Sequence, residues 1–213
     1  MDKHLKSILN KQVERTMDNL VRNNMTALYV ETKDEVIGKV SEFINEGDLV
    51  AVGGSVTLFE TGVIDHLRSG RYSFLDRYME DLSRTQLEEI YRKSFFADTY
   101  LTSTNAITED GELYNVDGNG NRVAAMIYGP KSVIVVAGVN KIVKNIDEAI
   151  ERVRRIAAPA NSTRLERDTP CVKTGYCVDC KKEDRICCSY TIFGQQRQKD
   201  RIKVILVGES LGY

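Results

Sequence analysis

The sequence predicts an α/β fold in which a mostly parallel sheet is covered by helices on both faces. Two observations carry this. Apolar runs of strand length alternate with amphipathic stretches of helix length along the chain, which is the pattern of βα units. Several of those runs, VIVVAG at 133–138 and VILV at 204–207 among them, are apolar without alternation, as strands buried on both faces are.

Each element can be justified in order. Leu5, Ile8, Leu9, Val13, Met17, Leu20 and Val21 recur at helical spacing and predict an amphipathic N-terminal helix over about residues 2–24. TALYVE is a short strand. Thr32 and Asp34 can cap a second helix that buries Val36, Ile37, Val40, Phe43 and Ile44, with Gly47 ending it. DLVAVGG is a buried strand, and SVTLFETGVIDHL is a helix opening directly from the two glycines. RYSFLDRY is a further strand, SRTQLEEIYRKSFFA a helix and DTYLTSTNAI a strand with a polar end. GELYNVDGNGNRVAAMIYG reads as a turn, a glycine-rich loop and a helix. KSVIVVAGVNKIV is the clearest strand, NIDEAIERVRRIAAPAN a capped helix ended near Pro159, and DRIKVILVGESLGY the closing strand. No internal repeat or low-complexity linker interrupts the series, so residues 1–213 are expected to form one domain. Residues 161–200 read as an insertion before the last strand, longer than an ordinary αβ loop.

Composition excludes some functions. Of the 213 residues 29% are charged, yet the formal net charge is -1, which argues against a nucleic-acid binder. The N-terminus has no signal-peptide pattern, and no run approaches the roughly 18 apolar residues a bilayer-crossing helix needs. A soluble cytoplasmic protein without a membrane partner is expected. The two histidines, His4 and His66, have no serine partner in the pattern, and Ser55 has no evident base, so a hydrolase triad is not expected.

Polar residues gather where strands end. Gly53, Gly54, Ser55 and Thr57 link a strand to a helix. Glycines let backbone amides approach a ligand, and a helix N-terminus favours an anion. The loop is neither a P-loop nor a dinucleotide fingerprint, and a tight turn with a serine cap is the alternative reading. Thr102, Ser103, Thr104 and Asn105 crowd the next strand end, Glu109, Asp117, Asn119, Asn121 and Arg122 lie in the following loops, and Asn140 and Lys141 follow a third strand. In an open α/β sheet ligands bind beyond the carboxyl ends of strands. Gly53, Gly54, Ser55, Thr57, Thr104, Asn105, Arg122, Asn140 and Lys141 are therefore the expected contacts for a small anionic or nucleotide-like ligand. Glu109 and Asp117 are the acid/base candidates.

All five cysteines lie between positions 171 and 188, spaced Cys171-x5-Cys177-x2-Cys180-x6-Cys187-Cys188. Two thiolates at the Cys177–Cys180 spacing can grip one metal. Cys171 and either Cys187 or Cys188 would complete four ligands, with Lys173, Lys181, Lys182 and Arg185 offsetting thiolate charge. Four thiolates suit zinc or an iron–sulfur cluster. Unligated thiols, or a redox disulfide between Cys177 and Cys180, are the alternatives.

VAVGGSVTLFETG, ADTYLTSTNAITEDGELYNVDGNGNRVAAMIYGPKSVIVVAGVNKIV and IKVILVGESLGY resemble the lactate-utilisation (LUD) domain, within a superfamily shared with ribose-phosphate isomerases and CoA-transferase-like proteins. The resemblance implies a three-layer α/β/α fold with a ligand site where the glycine loop meets TNAITEDG. It further implies a role in lactate or organic-acid utilisation beside iron–sulfur electron-transfer proteins, and so favours a [4Fe–4S] cluster over zinc on the cysteines. Sugar-phosphate isomerases of the superfamily carry an aspartate where Asn105 stands, and an amide cannot move a proton as a carboxylate does. Sugar-phosphate isomerase and CoA-transferase activities are thus weaker readings. A non-catalytic sensor or assembly subunit with a structural zinc site is the other reading, and a homo-oligomer is expected.

Overall fold

The computed structural model describes residues 2–213. In chain order the helices are α1 Lys3–Arg22, α2 Val36–Ser41, α3 Val56–Glu60, α4 Val63–Leu67, α5 Arg84–Lys93, α6 Asn121–Tyr128, α7 Ile146–Arg152, α8 Ala158–Arg164 and α9 Pro170–Thr174. The strands are β1 Thr26–Val30, β2 Leu49–Val52, β3 Ser73–Leu75, β4 Thr99–Thr102, β5 Ala106–Thr108, β6 Leu113–Asp117, β7 Ser132–Gly138, β8 Ile142–Val143, β9 Ser189–Phe193 and β10 Ile202–Val207.

The central sheet has six strands in the order β1-β10-β7-β4-β2-β3, and every pairing within it is parallel. Its two faces explain the continuous apolar runs. Val133, Val135 and Ala137 of β7, with Val204 and Leu206 of β10, pack under Leu20, Met25 and Met126. The intervening Ile134, Val136, Ile205 and Val207 pack on the other side against Val40, Leu58 and Ile64. Successive side chains point to opposite faces, and here both faces are covered, so both registers are apolar along the centres of β7 and β10. The result is the expected three-layer arrangement.

The structure departs from the sequence reading in several places. α2 ends at Ser41, well before Gly47, and DTYLTSTNAI is divided between β4 and β5 of different sheets. A second sheet, ordered β8-β5-β6-β9, lies beyond β4. Its β6 occupies LYNVD, read above as a turn and loop, because the strand is short and its central residue, the polar Asn115, is buried. Residues 161–200 are more than an insertion, since they supply α9 and the edge strand β9, paired antiparallel with β6 from Leu113↔Phe193 to Asp117↔Ser189. Pro159 does not end its helix. A π-helical stretch, Val153–Ala157, hands over without a break to α8, in whose first turn the proline lies. Finally, SVTLFETGVIDHL is broken into α3 and α4 at Gly62, whose φ of 68° is left-handed and suits glycine.

One buried cation fixes the layers. Arg201, 9% exposed, donates to the carbonyls of Met126 (2.7 Å), Pro130 (3.0 Å) and Ala125 (3.3 Å). It thereby satisfies carbonyls that the end of α6 leaves without helical partners.

Candidate functional site

The order β7-β4-β2 sets three parallel strands side by side, so their carboxyl ends share one rim. Each end delivers polar groups to it. β2 runs into Gly53–Gly54–Ser55 and α3, β4 into Ser103–Thr104, and β7 into Asn140–Lys141.

The glycine at 53 answers a steric demand. A Cβ there would lie 2.7 Å from Thr102 Oγ1 and 2.9 Å from Arg122 Cγ, whereas one at Gly54 would have Arg77 Nη1 as its nearest neighbour at 3.6 Å. The helix that follows is short, five residues. Ser55 Oγ accepts from Leu58 N at 3.2 Å, and Ser55 N donates to the Tyr78 hydroxyl at 3.2 Å. Ser55 therefore acts as a cap, and its amide is already engaged.

Arg122 is the knot of the rim. Nε donates to Asp117 Oδ1 at 3.0 Å, Nη1 to Ser103 O at 3.1 Å and to Asn115 Oδ1, and Nη2 to Asn105 Oδ1 and Val116 O, both at 3.1 Å. All five guanidinium hydrogens are used within the protein, and the residue is 7% exposed. Asp117 also accepts from the backbone amides of Arg122 and Val123, which fastens it to the first turn of α6. Asn105 Oδ1 accepts from Val116 N as well, at 2.9 Å. Thr104 Oγ1 bonds the carbonyls of Ala106 and Tyr114. Arg122, Asp117, Asn105 and Thr104 thus hold β4, β6 and α6 together.

Lys141 differs from these. It is 2% exposed, and its Nζ donates to two hydroxyls, Ser103 Oγ at 2.9 Å and Thr57 Oγ1 at 3.1 Å. No carboxylate bonds it. Burial pushes its pKa down to about 7, Arg152 and Arg122 push the same way, and Glu60 weakly opposes them. Residues 211–213 form a roof beside it: Asn140 Oδ1 accepts from Leu211 N at 3.1 Å, its Nδ2 faces the carbonyls of Leu211 and Gly212, and Gly212 N donates to Glu60 Oε2 at 2.7 Å. Arg152 braces the same strand end through the carbonyls of Asn140 (3.1 Å) and Asn105 (2.6 Å).

Thr57, Asn105, Arg122 and Lys141 therefore meet in one network, linked by Ser103, which accepts from Lys141 at its hydroxyl and from Arg122 at its carbonyl; Gly53 packs against Arg122, and Gly54 faces Arg77. Glu109 does not join them. Its carboxylate takes Gln12 Nε2 at 3.0 Å and Arg15 at 2.6 Å, tying α1 to the turn after β5.

Sequence reasoning passed over Arg77. Its guanidinium carbon lies 4.7 Å from the centre of the Tyr91 ring and 5.5 Å from that of Tyr78. Nη2 donates to the Tyr91 hydroxyl at 2.8 Å, and the buried Nε has no partner. The rule that directs attention to strand ends applies to it too, because Arg77 follows β3. The short strand and the missing glycine turn hid it. The loop from Gly53 to Thr57 is thus met by Arg77 at one end and Lys141 at the other.

The cysteines form a separate group, all with free thiols. Cys177 and Cys187 wall a cavity of about 490 Å³ together with Tyr114, Ile150, Arg154 and Tyr190. Burial pushes the Cys187 thiol up to about 11, and the nearby thiols of Cys177, Cys171 and Cys188 act in the same direction. Asp179 N donates to Cys177 Sγ at 3.4 Å, and Cys171 Sγ lies 3.2 Å from the Thr169 hydroxyl. Arg185 binds the carbonyl oxygens of both Cys180 and Cys187, the Tyr190 hydroxyl and the Asp179 carboxylate. Among the described residues no three His, Cys, Asp or Glu side chains are grouped closely enough to hold a metal ion. The thiols as arranged do not fit a single tetrahedral ion, whose sulfurs would stand only about 4 Å apart.

No helix of the described residues is long and apolar enough to cross a membrane. No curated protein matches the chain. Among solved structures, a DUF162 family protein from Deinococcus radiodurans is similar at 17% identity and a TM-score of 0.54, over 94% of this chain and 98% of that one. At that identity the likeness is one of fold. eIF2B beta from Chaetomium thermophilum matches 55% of this chain and 41% of its own at 18% identity, with a TM-score of 0.38, too low to bear on the fold. The LUD domain model matches residues 13–207, which takes in the glycine loop, the Arg122 knot, Lys141 and all five cysteines. The chain belongs to the LUD-domain family.

Proposed function

We propose that the protein is a cytoplasmic LUD-domain protein of lactate or related organic-acid utilisation, which binds a small anion at the rim between Arg77 and Lys141. Family membership supports the metabolic assignment. The observation that carries the anion site is Lys141: a buried amine with two hydroxyl acceptors and no carboxylate. Burying a cation without a counter-charge is unfavourable, and an anionic ligand would supply that charge. Arg77 adds a guanidinium whose Nε is unsatisfied, and Arg can bind a carboxylate or phosphate through two parallel hydrogen bonds. Arg122 holds the rim in shape, because its donors are consumed internally. Asn105, as an amide bonded to that guanidinium, speaks against the isomerase reading.

Calorimetric titration with lactate, pyruvate and inorganic phosphate, one at a time, tests the site. At least one is expected to bind with a single site per chain. Lys141→Met and Arg77→Met are each expected to weaken it by tenfold or more, and Gly54→Val to weaken it by crowding the loop. Wild-type affinity in both cation variants, or no binding of any of the three, would remove the anion site.

A further inference from the structure

The cavity of about 490 Å³ shares no residue with the rim network, and its size is that of a small-molecule site. One wall is a helix face. Ile150, Arg154 and Ala158 come in turn from α7, the π-helical stretch and α8, and a spacing of four keeps them on one side. π-helical turns recur at functional sites. Another wall is a face of the second sheet, where Tyr114 of β6 stands opposite Ile192 of β9, and Tyr190 lies two residues before Ile192. Helix and sheet meet at a buried base in which Tyr114 packs with Ala149, Val153 and Ala157.

Large apolar side chains of this lining stand open to solvent: Tyr190 is 55% exposed and Ile192 49%, as on a surface that receives a ligand. The Tyr190 ring is held in place, since its hydroxyl accepts from Arg185 Nη2 at 2.7 Å and donates to the carbonyl of Cys187 at 3.1 Å. Three cations and one carboxylate also line the cavity: Arg154, Lys181, Arg185 and Asp179. Arg185 and Asp179 pair at 2.8 Å, and Arg185 further binds the carbonyls of Cys180 and Cys187. Arg154 and Lys181 are left over. The carboxylate nearest Arg154, that of Glu151 at 4.0 Å, lies closer to Arg155, at 3.4 Å. Lys181 has no ion-pair partner among the described residues, since Lys173 and Lys182 are the ones that reach Asp168. An apolar lining with two uncommitted cations fits an organic anion. Two tyrosine rings fit an aromatic body, which they can meet edge-on or offset-stacked.

We propose that this cavity is a second binding site, which takes an aromatic carboxylate: Arg154 and Lys181 hold the carboxylate, and the ring lies between the helix face and Tyr114, Tyr190 and Ile192. The site is separate from the rim between Arg77 and Lys141 and does not depend on it.

The test is calorimetric titration of the full chain with 1-naphthoate and with 1-naphthalenemethanol, which has the same ring system and no charge. The expected result is one site per chain for 1-naphthoate, with the alcohol bound about fivefold or more weakly. Arg154→Met and Lys181→Met are each expected to weaken 1-naphthoate by about fivefold, and Ile192→Trp, which fills the cavity, to abolish its binding. Circular dichroism shows whether the variants remain folded, and Arg154→Gln and Lys181→Gln take the place of a methionine variant that does not. No binding of 1-naphthoate, wild-type affinity in both cation variants, or equal affinity for the alcohol would each overturn the site. A loss in Lys141→Met as large as that in Arg154→Met would put the carboxylate on the rim and overturn the second site while leaving the first.

Discussion

Lys141→Met is the substitution that most directly interrogates the rim, because its effect on stability should depend on pH. Methionine nearly matches the stem of lysine in volume and removes the charge. Burial lowers the amine from its ordinary value of 10.5 to about 7. At about 1.4 kcal/mol for each factor of ten in proton affinity, this places a ceiling of about 5 kcal/mol on the penalty of keeping the ammonium folded. Against it stand the two hydrogen bonds to Ser103 and Thr57, whose loss leaves two buried hydroxyls short of a donor at roughly 1–3 kcal/mol. The sign follows from proton counts. Between pH 7 and 10.5 the unfolded chain carries a proton on this lysine that the folded chain has released, so wild-type stability rises with pH across that window. Below pH 7 both states are protonated and the full penalty persists. Lys141→Met should therefore be more stable than wild type by about 2–4 kcal/mol at pH 6, with the advantage shrinking towards pH 10. Urea unfolding at half-unit steps from pH 6 to 10, with denaturant slopes compared to confirm an unchanged transition, measures it. Parallel stability curves for the two proteins would show that Lys141 does not titrate near neutrality and would remove the physical basis of the anion site.

Three further outcomes are expected. Anion affinity, if it depends on the ammonium form of Lys141, should fall as pH rises through about 7, and calorimetry at pH 6 and 8.5 would show at least a tenfold difference; equal affinities would place the anion elsewhere. Gly53→Ala should destabilise by about 1–3 kcal/mol, because its Cβ meets Thr102 and Arg122 below 3 Å, while Gly54→Ala, whose nearest neighbour is 3.6 Å away, should unfold within about 0.5–1 kcal/mol of wild type in the same urea assay. Arg122→Met strands Asp117, Asn105 and Asn115 in a buried place and should cost about 3–5 kcal/mol, read as a lowered thermal midpoint; a near-neutral effect would contradict its place as the knot.

How far the site could be read in advance depended on the kind of signal each residue leaves. Gly53, Gly54 and Lys141 were legible because they follow strongly apolar strands, and the ends of such strands meet on one rim. Arg122 was legible as a cation near the ligand loop, but not as a group whose donors are all consumed. That depends on Ser103 and Asn105, from the turn between β4 and β5, and Asn115, Val116 and Asp117, from β6, converging on it. Glu109 looked the same on paper as Asp117, yet one faces α1 and the other α6. Arg77 left almost no trace, since its significance lies in the two tyrosine rings around it, one of them 14 residues away.

The order of residues alone was enough to settle the layered α/β plan, because unbroken apolar strands can exist only where both faces are buried, and that requirement is local to each strand. It was also enough to isolate the cysteine segment, since position along the chain is all that clustering demands. Only the folded chain decided which polar groups are free. Whether a cation is paired or a thiol lies near a second thiol depends on groups brought from distant segments. Such distances are set by how β6 and β9 pair and how Arg185 and Arg122 gather their carbonyls, and no local pattern encodes them.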